Sequence, residues 1–205
     1  MSLAYDEKRQ LIKQSAVRTF SHYGYQKTTL EDIAGQLGIK KNTLYYYFKS
    51  KEAIFDEIVN DEFKVLCSDM KSIGESNKDT YKKLLSIMQK LIYYGQERSK
   101  VYSLSLETFF EIGEVINKSF KEIKESIRVI IADVLMQGVK KNELKKHDSN
   151  ELADLLLETL RAYEYKEYHS NLKVNSFMEL QLTHIEKNIT TLLKLILDGL
   201  KAAKY

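Results

Sequence analysis

Asn42, Thr43 and Tyr46 fall on one side of the stretch KKNTLYYYF, while Leu44 and Phe48, four residues apart, fall on the other when the chain is wound at 100° per residue. An amide, a hydroxyl and a phenol on one outward face can hydrogen bond to base edges and phosphate oxygens. Lys40 and Lys41 at the start of the stretch add the charge that phosphates attract. Tyr45 sits on a flank and Tyr47 extends the aromatic part of the surface. The chemistry is recognition of a duplex through its major groove, with no bond made or broken.

So short a helix needs neighbours to hold it. Leu30, Ile33, Ala34 and Leu37, at i, i+3, i+4 and i+7, predict a preceding helix with one apolar stripe, and Glu31 and Asp32 suit its positive N-terminal end. Gly38 stands where the chain must turn out of that helix. Helix, tight turn and helix between Thr28 and Lys51 predict a DNA-binding helix-turn-helix. Ile12, Ala16, Phe20 and Tyr23 predict a leading helix that packs over the pair and ends at Gly24-Tyr25.

These residues closely resemble the N-terminal domain of TetR-type bacterial transcriptional repressors. The resemblance is carried by Ile12, Ala16, Phe20, Gly24 and Tyr25, then by Thr28, Thr29, Ile33, Ala34, Leu37, Gly38 and Ile39. Thr43, Leu44, Tyr45, Phe48, Lys51 and Glu52 complete it. Together with the outward face, it implies DNA contacts from Thr28, Thr29, Lys40, Lys41, Asn42, Thr43, Tyr45, Tyr46, Tyr47 and Lys51. Lys41 and Asn42 read bases, whereas Tyr45, Thr28 and Lys51 hold phosphates. Two positions depart from the family pattern. Lys40 replaces the usual small hydroxyl residue and removes an N-cap, and Asn42 replaces a frequent glycine and adds a base-reading amide. The resemblance further implies a homodimer on a near-palindromic double-stranded operator, repression, and release by a small-molecule effector.

Composition agrees. The 205 residues include no proline and only eight glycines, and no alternating β-branched run argues for a sheet, so the expected fold is all-α. Residues 1–51 carry nine Lys and Arg against four acids, a net +5, whereas the rest of the chain is −2. Positive charge thus gathers on the segment expected to meet phosphates, although a lysine-rich solvated face is the plainer alternative. Cys67 is the only cysteine, which excludes an intramolecular disulfide and suits a reducing cytoplasm. No apolar run reaches the length of a membrane span. His22, His147, His169 and His184 are dispersed without metal-ligand spacing, and no glycine-rich phosphate loop occurs, so no metal, cofactor or catalytic group is expected.

The expected organisation is a three-helix helix-turn-helix domain over residues 1–51 and a larger helical ligand-binding and dimerisation domain over 52–205. Ser50 caps a connecting helix running through Ile54, Phe55, Ile58, Val59 and Phe63 toward Ile73. Breaks are expected at 74–79, 95–100, 112–114, 138–150 and 170–175. The middle helices are rich in aromatic residues. Met88, Tyr93, Tyr94, Tyr102, Phe109, Phe110 and Tyr163 are candidates to wall a cavity for an apolar or amphipathic effector, with ordinary core packing the alternative for each. Glu107, Glu111 and Glu164 would favour a cationic ligand if turned inward, with solvated charge on a helix face the plainer alternative. On the last two helices, Leu195 and Leu197 widen a stripe that one neighbour cannot cover. Leu156, Leu160, Ile189, Leu193, Ile196 and Leu200 are the expected dimer interface, and burial within one subunit is the alternative. Two other functions stay open: a larger domain that docks a protein partner, and, more remotely, a helical enzyme.

Overall fold

A computed structural model of the chain describes residues 3–102, 117–170 and 182–202. Eight helices occupy them: α1 Leu3–Tyr23, α2 Leu30–Gln36, α3 Lys41–Tyr47, α4 Lys51–Glu75, α5 Thr80–Tyr102, α6 Asn117–Lys140, α7 Ser149–Ser170 and α8 Leu182–Leu200. Among the described residues the only β pairing is an isolated bridge between Leu144 and Lys201, so the fold is all-α as expected. None of the described helices is long and apolar enough to cross a membrane.

The described residues form two compact units. The first holds 3–64, 96–102 and 117–121, and the second holds 65–95, 122–170 and 182–202. In the first, Ile12, Ala16 and Phe20 of α1, Ile33 and Ala34 of α2, and Leu44 and Phe48 of the α3 region are buried together with Ile54, Phe55, Ile58 and Val59 of α4. The core therefore extends beyond residue 51 along α4. Ser50 does cap that helix, its Oγ accepting from the Ala53 N–H at 3.2 Å.

The first unit also claims Tyr102, at the end of α5, where a place in the ligand cavity was expected. Its ring is 1% exposed. It meets Phe55 at 5.3 Å and Phe20 at 6.4 Å, both edge-on. Its hydroxyl donates to Glu62 at 2.6 Å, and its carbonyl accepts from the Tyr25 N–H at 3.3 Å. The break expected at 95–100 is likewise absent, because α5 runs unbroken through Gly95. A lone glycine costs a helix only about 1 kcal/mol. Burial of Tyr102 at the far end offsets that.

The second unit buries one stripe of each of its helices: Leu66 and Met70 on α4, Leu84, Ile87, Met88 and Ile92 on α5, and Ile127, Ile130, Ile131, Val134 and Leu135 on α6. Ala153, Leu156, Leu157 and Leu160 on α7 and Ile185, Ile189, Leu193 and Leu197 on α8 complete it. Lys83 is buried too, its ammonium donating to the Gly74 carbonyl at 2.6 Å and to Gln137 Oε1 at 3.2 Å. Gly138 is fixed by close approach, since a Cβ there would stand 2.5 Å from Thr80 Oγ1. The expected breaks at 74–79 and 138–150 separate α4 from α5 and α6 from α7, whereas 112–114 and 171–175 lie outside the described residues.

Candidate nucleic-acid interface

The first unit builds its outward face from the turn upward. Thr29 caps α2 with a reciprocal pair: the Asp32 N–H donates to Thr29 Oγ1 at 3.2 Å, and the Thr29 N–H donates to the Asp32 carboxylate at 2.8 Å. The Thr29 hydroxyl, which donates to the same carboxylate at 2.7 Å, and then the Thr29 N–H hold the Asp32 carboxyl below its ordinary range. Ser15 of α1 donates to the Ile33 carbonyl at 3.2 Å and fixes α2 against α1. Gly38 then takes φ +63°, a left-handed conformation that suits glycine, and turns the chain into α3.

At the start of α3, Lys40 occupies the N-cap without a side-chain cap bond, as its replacement of a hydroxyl residue led us to expect. Leu44 and Phe48 face the core at 0% and 3% exposure. The opposite side presents Asn42, Thr43, Tyr45 and Tyr46, all exposed, with Tyr46 at 72%. Lys41 borders this face and reaches back to Glu31 at 2.7 Å, which raises its pKa, and its ammonium lies 5.9 Å from the Tyr45 ring. Tyr47 is half-buried against the Tyr5 ring, 5.0 Å away.

Two residues expected at the phosphates are placed otherwise. Thr28 is 2% exposed, and its hydroxyl donates to the Gly24 carbonyl at 2.8 Å. Lys51, the first residue of α4, points its ammonium at the loop before α2, donating to the carbonyls of Tyr25 at 2.8 Å and Thr28 at 3.0 Å. It also lies 4.3 Å from the centre of the Tyr25 ring. Burial lowers its pKa. Tyr25 in turn donates to Glu52 at 3.4 Å, and burial next to that carboxylate pushes its phenol well up. Lys51 and Thr28 thus shape the loop that carries Thr29. Arg9 and Lys13 belonged to the positive tally, yet both pair with acids of α4 just beyond residue 51. Lys27, Lys40 and Lys49 are the exposed cations nearest the reading face in sequence.

Three helices around one core, with a polar and aromatic face on the third and a glycine turn before it, define a helix-turn-helix DNA-binding module. Residues 12–58 match the family described as bacterial regulatory proteins, tetR family. The HTH-type transcriptional regulator YhgD of Bacillus subtilis is 25% identical over 146 residues, covering 69% of this chain and 74% of that protein. The negative transcriptional regulator of the biofilm operon icaADBC, IcaR of Staphylococcus aureus, is 46% identical over 55 residues, 27% of this chain and 30% of its own. The crystal structure of a transcriptional regulator from Cytophaga hutchinsonii superposes with a TM-score of 0.76 at 24% identity, covering 95% of this chain and 99% of that one. Residues 12–58 thus carry a helix-turn-helix of the tetR type, and the chain is a DNA-binding transcriptional regulator.

The residues expected to wall a ligand cavity are divided. Met88, Tyr93, Tyr94 and Tyr163 belong to the second unit, Tyr102 to the first, and Phe109 and Phe110, with Glu107 and Glu111, lie outside the described residues. Met88 is fully buried, whereas Tyr93 is 36% exposed and donates to Glu186 of α8. Glu164 continues the buried stripe of α7 one turn beyond Leu160. It keeps part of its surface, but desolvation pushes its carboxyl to about 7 and Arg161 only partly opposes the shift. Between about pH 4.5 and 7 the folded chain retains a proton on Glu164 that the unfolded chain releases. Stability from this group is therefore complete below that window, falls as pH rises through it, and is level above. Thermal unfolding across pH should show Glu164→Gln losing this decline, and an unchanged profile would mean that the carboxyl is solvated.

The expected interface residues are also divided. Leu156, Leu160, Ile189 and Leu193 are buried within the chain, at 4% exposure or less, and Ile196 and Leu200 are half-buried. Among the described side chains of α7 and α8, the large apolar ones that stand exposed are Leu155 at 51%, Tyr165 at 57% and Leu195 at 67%. Sequence periodicity found the helix faces but not which face the chain covers by itself. Among the described residues no cluster of three or more His, Cys, Asp and Glu could hold a metal ion.

Proposed function

We propose that the protein is a homodimeric repressor whose two α3 helices enter successive major grooves of a near-palindromic operator, and that a small apolar or amphipathic effector held by the second unit releases it. The observation that carries the DNA-reading part is the outward face of α3, where Asn42, Thr43, Tyr45 and Tyr46 stand exposed over the buried pair Leu44 and Phe48. Lys40 and Lys41 border that face, and Thr29 flanks it at the head of α2. The repressor sense follows the likeness to IcaR, a negative regulator by name. The effector reading rests on the family and on Met88, Tyr93, Tyr94 and Tyr163 in one unit. Helices α4, α5 and α6 each contribute residues to both units and are covalent routes by which an effector would act on α3. An effector can do so only if it binds the two states with different affinity, and operator DNA must then weaken effector binding by the same factor.

Selection of bound sequences from random DNA tests the reading, and an enriched inverted repeat is the expected result. On that operator, Asn42→Ala should relax base preference at one position in each half-site, costing about 1–3 kcal/mol for a lost bidentate contact. Lys49→Ala should weaken all sequences alike. Unchanged relative affinities of Asn42→Ala for every single-base variant would remove its base-reading role.

A further inference from the structure

We propose that Arg9 is the positioning residue of the recognition helix, tying the last carbonyl of α3 to α4 and so setting the angle at which Asn42, Thr43 and Tyr46 meet DNA. The proposal rests on the DNA-reading role of α3 and adds to it a residue outside the helix-turn-helix. With seven residues, α3 is too short to persist alone, and its N-cap makes no side-chain bond. Its core anchors, Leu44 and Phe48, lie on one stripe, about which a helix can still roll. Arg9 supplies what that stripe lacks. One guanidinium nitrogen donates to the Tyr47 carbonyl at 2.5 Å, at the helix end where exposed carbonyls favour a cation. The planar group lies over the Phe48 ring at 4.1 Å, and its other nitrogen pairs with Glu57 of α4. A single side chain of α1 therefore touches the end of α3 and a turn of α4 at once.

Its neighbour on α1 shows the contrast. Arg9 and Lys13 are four residues apart and meet Glu57 and Asp61, also four apart, as two rungs between α1 and α4. Lys13 stands 2.5 Å from Asp61 and 3.8 Å from Glu57. The Lys13 rung joins the same two helices, its ammonium pairing with Asp61 and Glu57 of α4. Removing Lys13 thus weakens the joint between α1 and α4, whereas removing Arg9 also unpins the reading face. Because Arg9 and Glu57 both keep access to solvent, their pairing contributes more to geometry than to stability.

The test compares Arg9→Met, Arg9→Lys, Lys13→Met and Asn42→Ala in the full chain, measuring affinity for the selected operator, affinity for a random-sequence duplex, and thermal midpoint. Arg9→Met should lose at least about tenfold in operator affinity and less than about threefold on random duplex, because misplaced base contacts remove specificity first. Arg9→Lys keeps the charge but cannot bridge carbonyl and carboxylate in one plane, so it should not restore the ratio. Lys13→Met should lower the midpoint and leave the ratio intact. If Arg9→Met weakens both duplexes equally, Arg9 is a phosphate contact. If it lowers only the midpoint, Arg9 is merely structural. Either result overturns the proposal. Should Asn42→Ala alter base preference while Arg9→Met does not alter the ratio, the positioning role fails and base reading stands. Should neither variant change specificity, the reading face falls, and this proposal with it.

Discussion

Tyr102→Ala is expected to cost about 3–5 kcal/mol of folding stability, the range for removing a large aromatic ring from a packed core. The ring is 1% exposed and touches Phe20 and Phe55, so little rearrangement can fill the space it leaves. The substitution also deprives Glu62 of a hydroxyl donor at 2.6 Å, although Arg98 still pairs with that carboxylate at 2.8 Å. Tyr102→Phe should isolate this second effect at about 1 kcal/mol, since the ring stays and one hydrogen bond is lost. Denaturant unfolding, read with operator binding, distinguishes the two possible roles of this tyrosine. As a core residue of the DNA-binding unit, Tyr102→Ala must lose stability and operator affinity together. Were it instead to leave stability within about 1 kcal/mol of the parent and abolish only an effector response, Tyr102 would be a ligand-contact residue as its sequence position suggested.

Tyr102 also shows where sequence reasoning stopped. The helix-turn-helix was legible because its signals are local: a four-residue apolar stripe from Leu30 to Leu37, the acids Glu31 and Asp32 in the first turn of α2, and a glycine at the one turn that takes φ +63°. The same reasoning misplaced Thr28, Lys51 and Tyr102, whose partners are distant in sequence. Thr28 and Lys51 have side chains that could serve DNA as well as a loop carbonyl, and only the fold brings the carbonyls of Tyr25 and Thr28 to the Lys51 ammonium. Arg9 and Lys13 were counted as field for DNA since their acidic partners, Glu57 and Asp61, lie some 48 residues away. A signal was nevertheless present. Two cations four apart on α1 and two acids four apart on α4 share the helical repeat, the pattern expected of two helices that face each other.

The widest consequence of that limit concerns α8, where apolar periodicity alone could not tell a core stripe from an interface. Leu193 is 0% exposed between Ile189 and Leu197, whereas Leu195, two residues on, is 67% exposed. Leu193→Asp is therefore expected to unfold the second unit, because an unpaired carboxylate in that stripe costs several kcal/mol. Leu195→Glu should leave the isolated subunit folded, since its side chain already faces solvent there, and should abolish the proposed dimer. The two outcomes separate by experiment. Sedimentation gives the mass, and thermal unfolding at several protein concentrations shows whether the midpoint depends on assembly. The parent protein should sediment as a dimer with a concentration-dependent midpoint. Leu195→Glu should sediment as a monomer whose midpoint no longer depends on concentration, with operator affinity reduced because two half-sites are no longer bound together. If the parent chain is a monomer at micromolar concentration, or Leu195→Glu remains dimeric, the exposed face of α8 is not the interface.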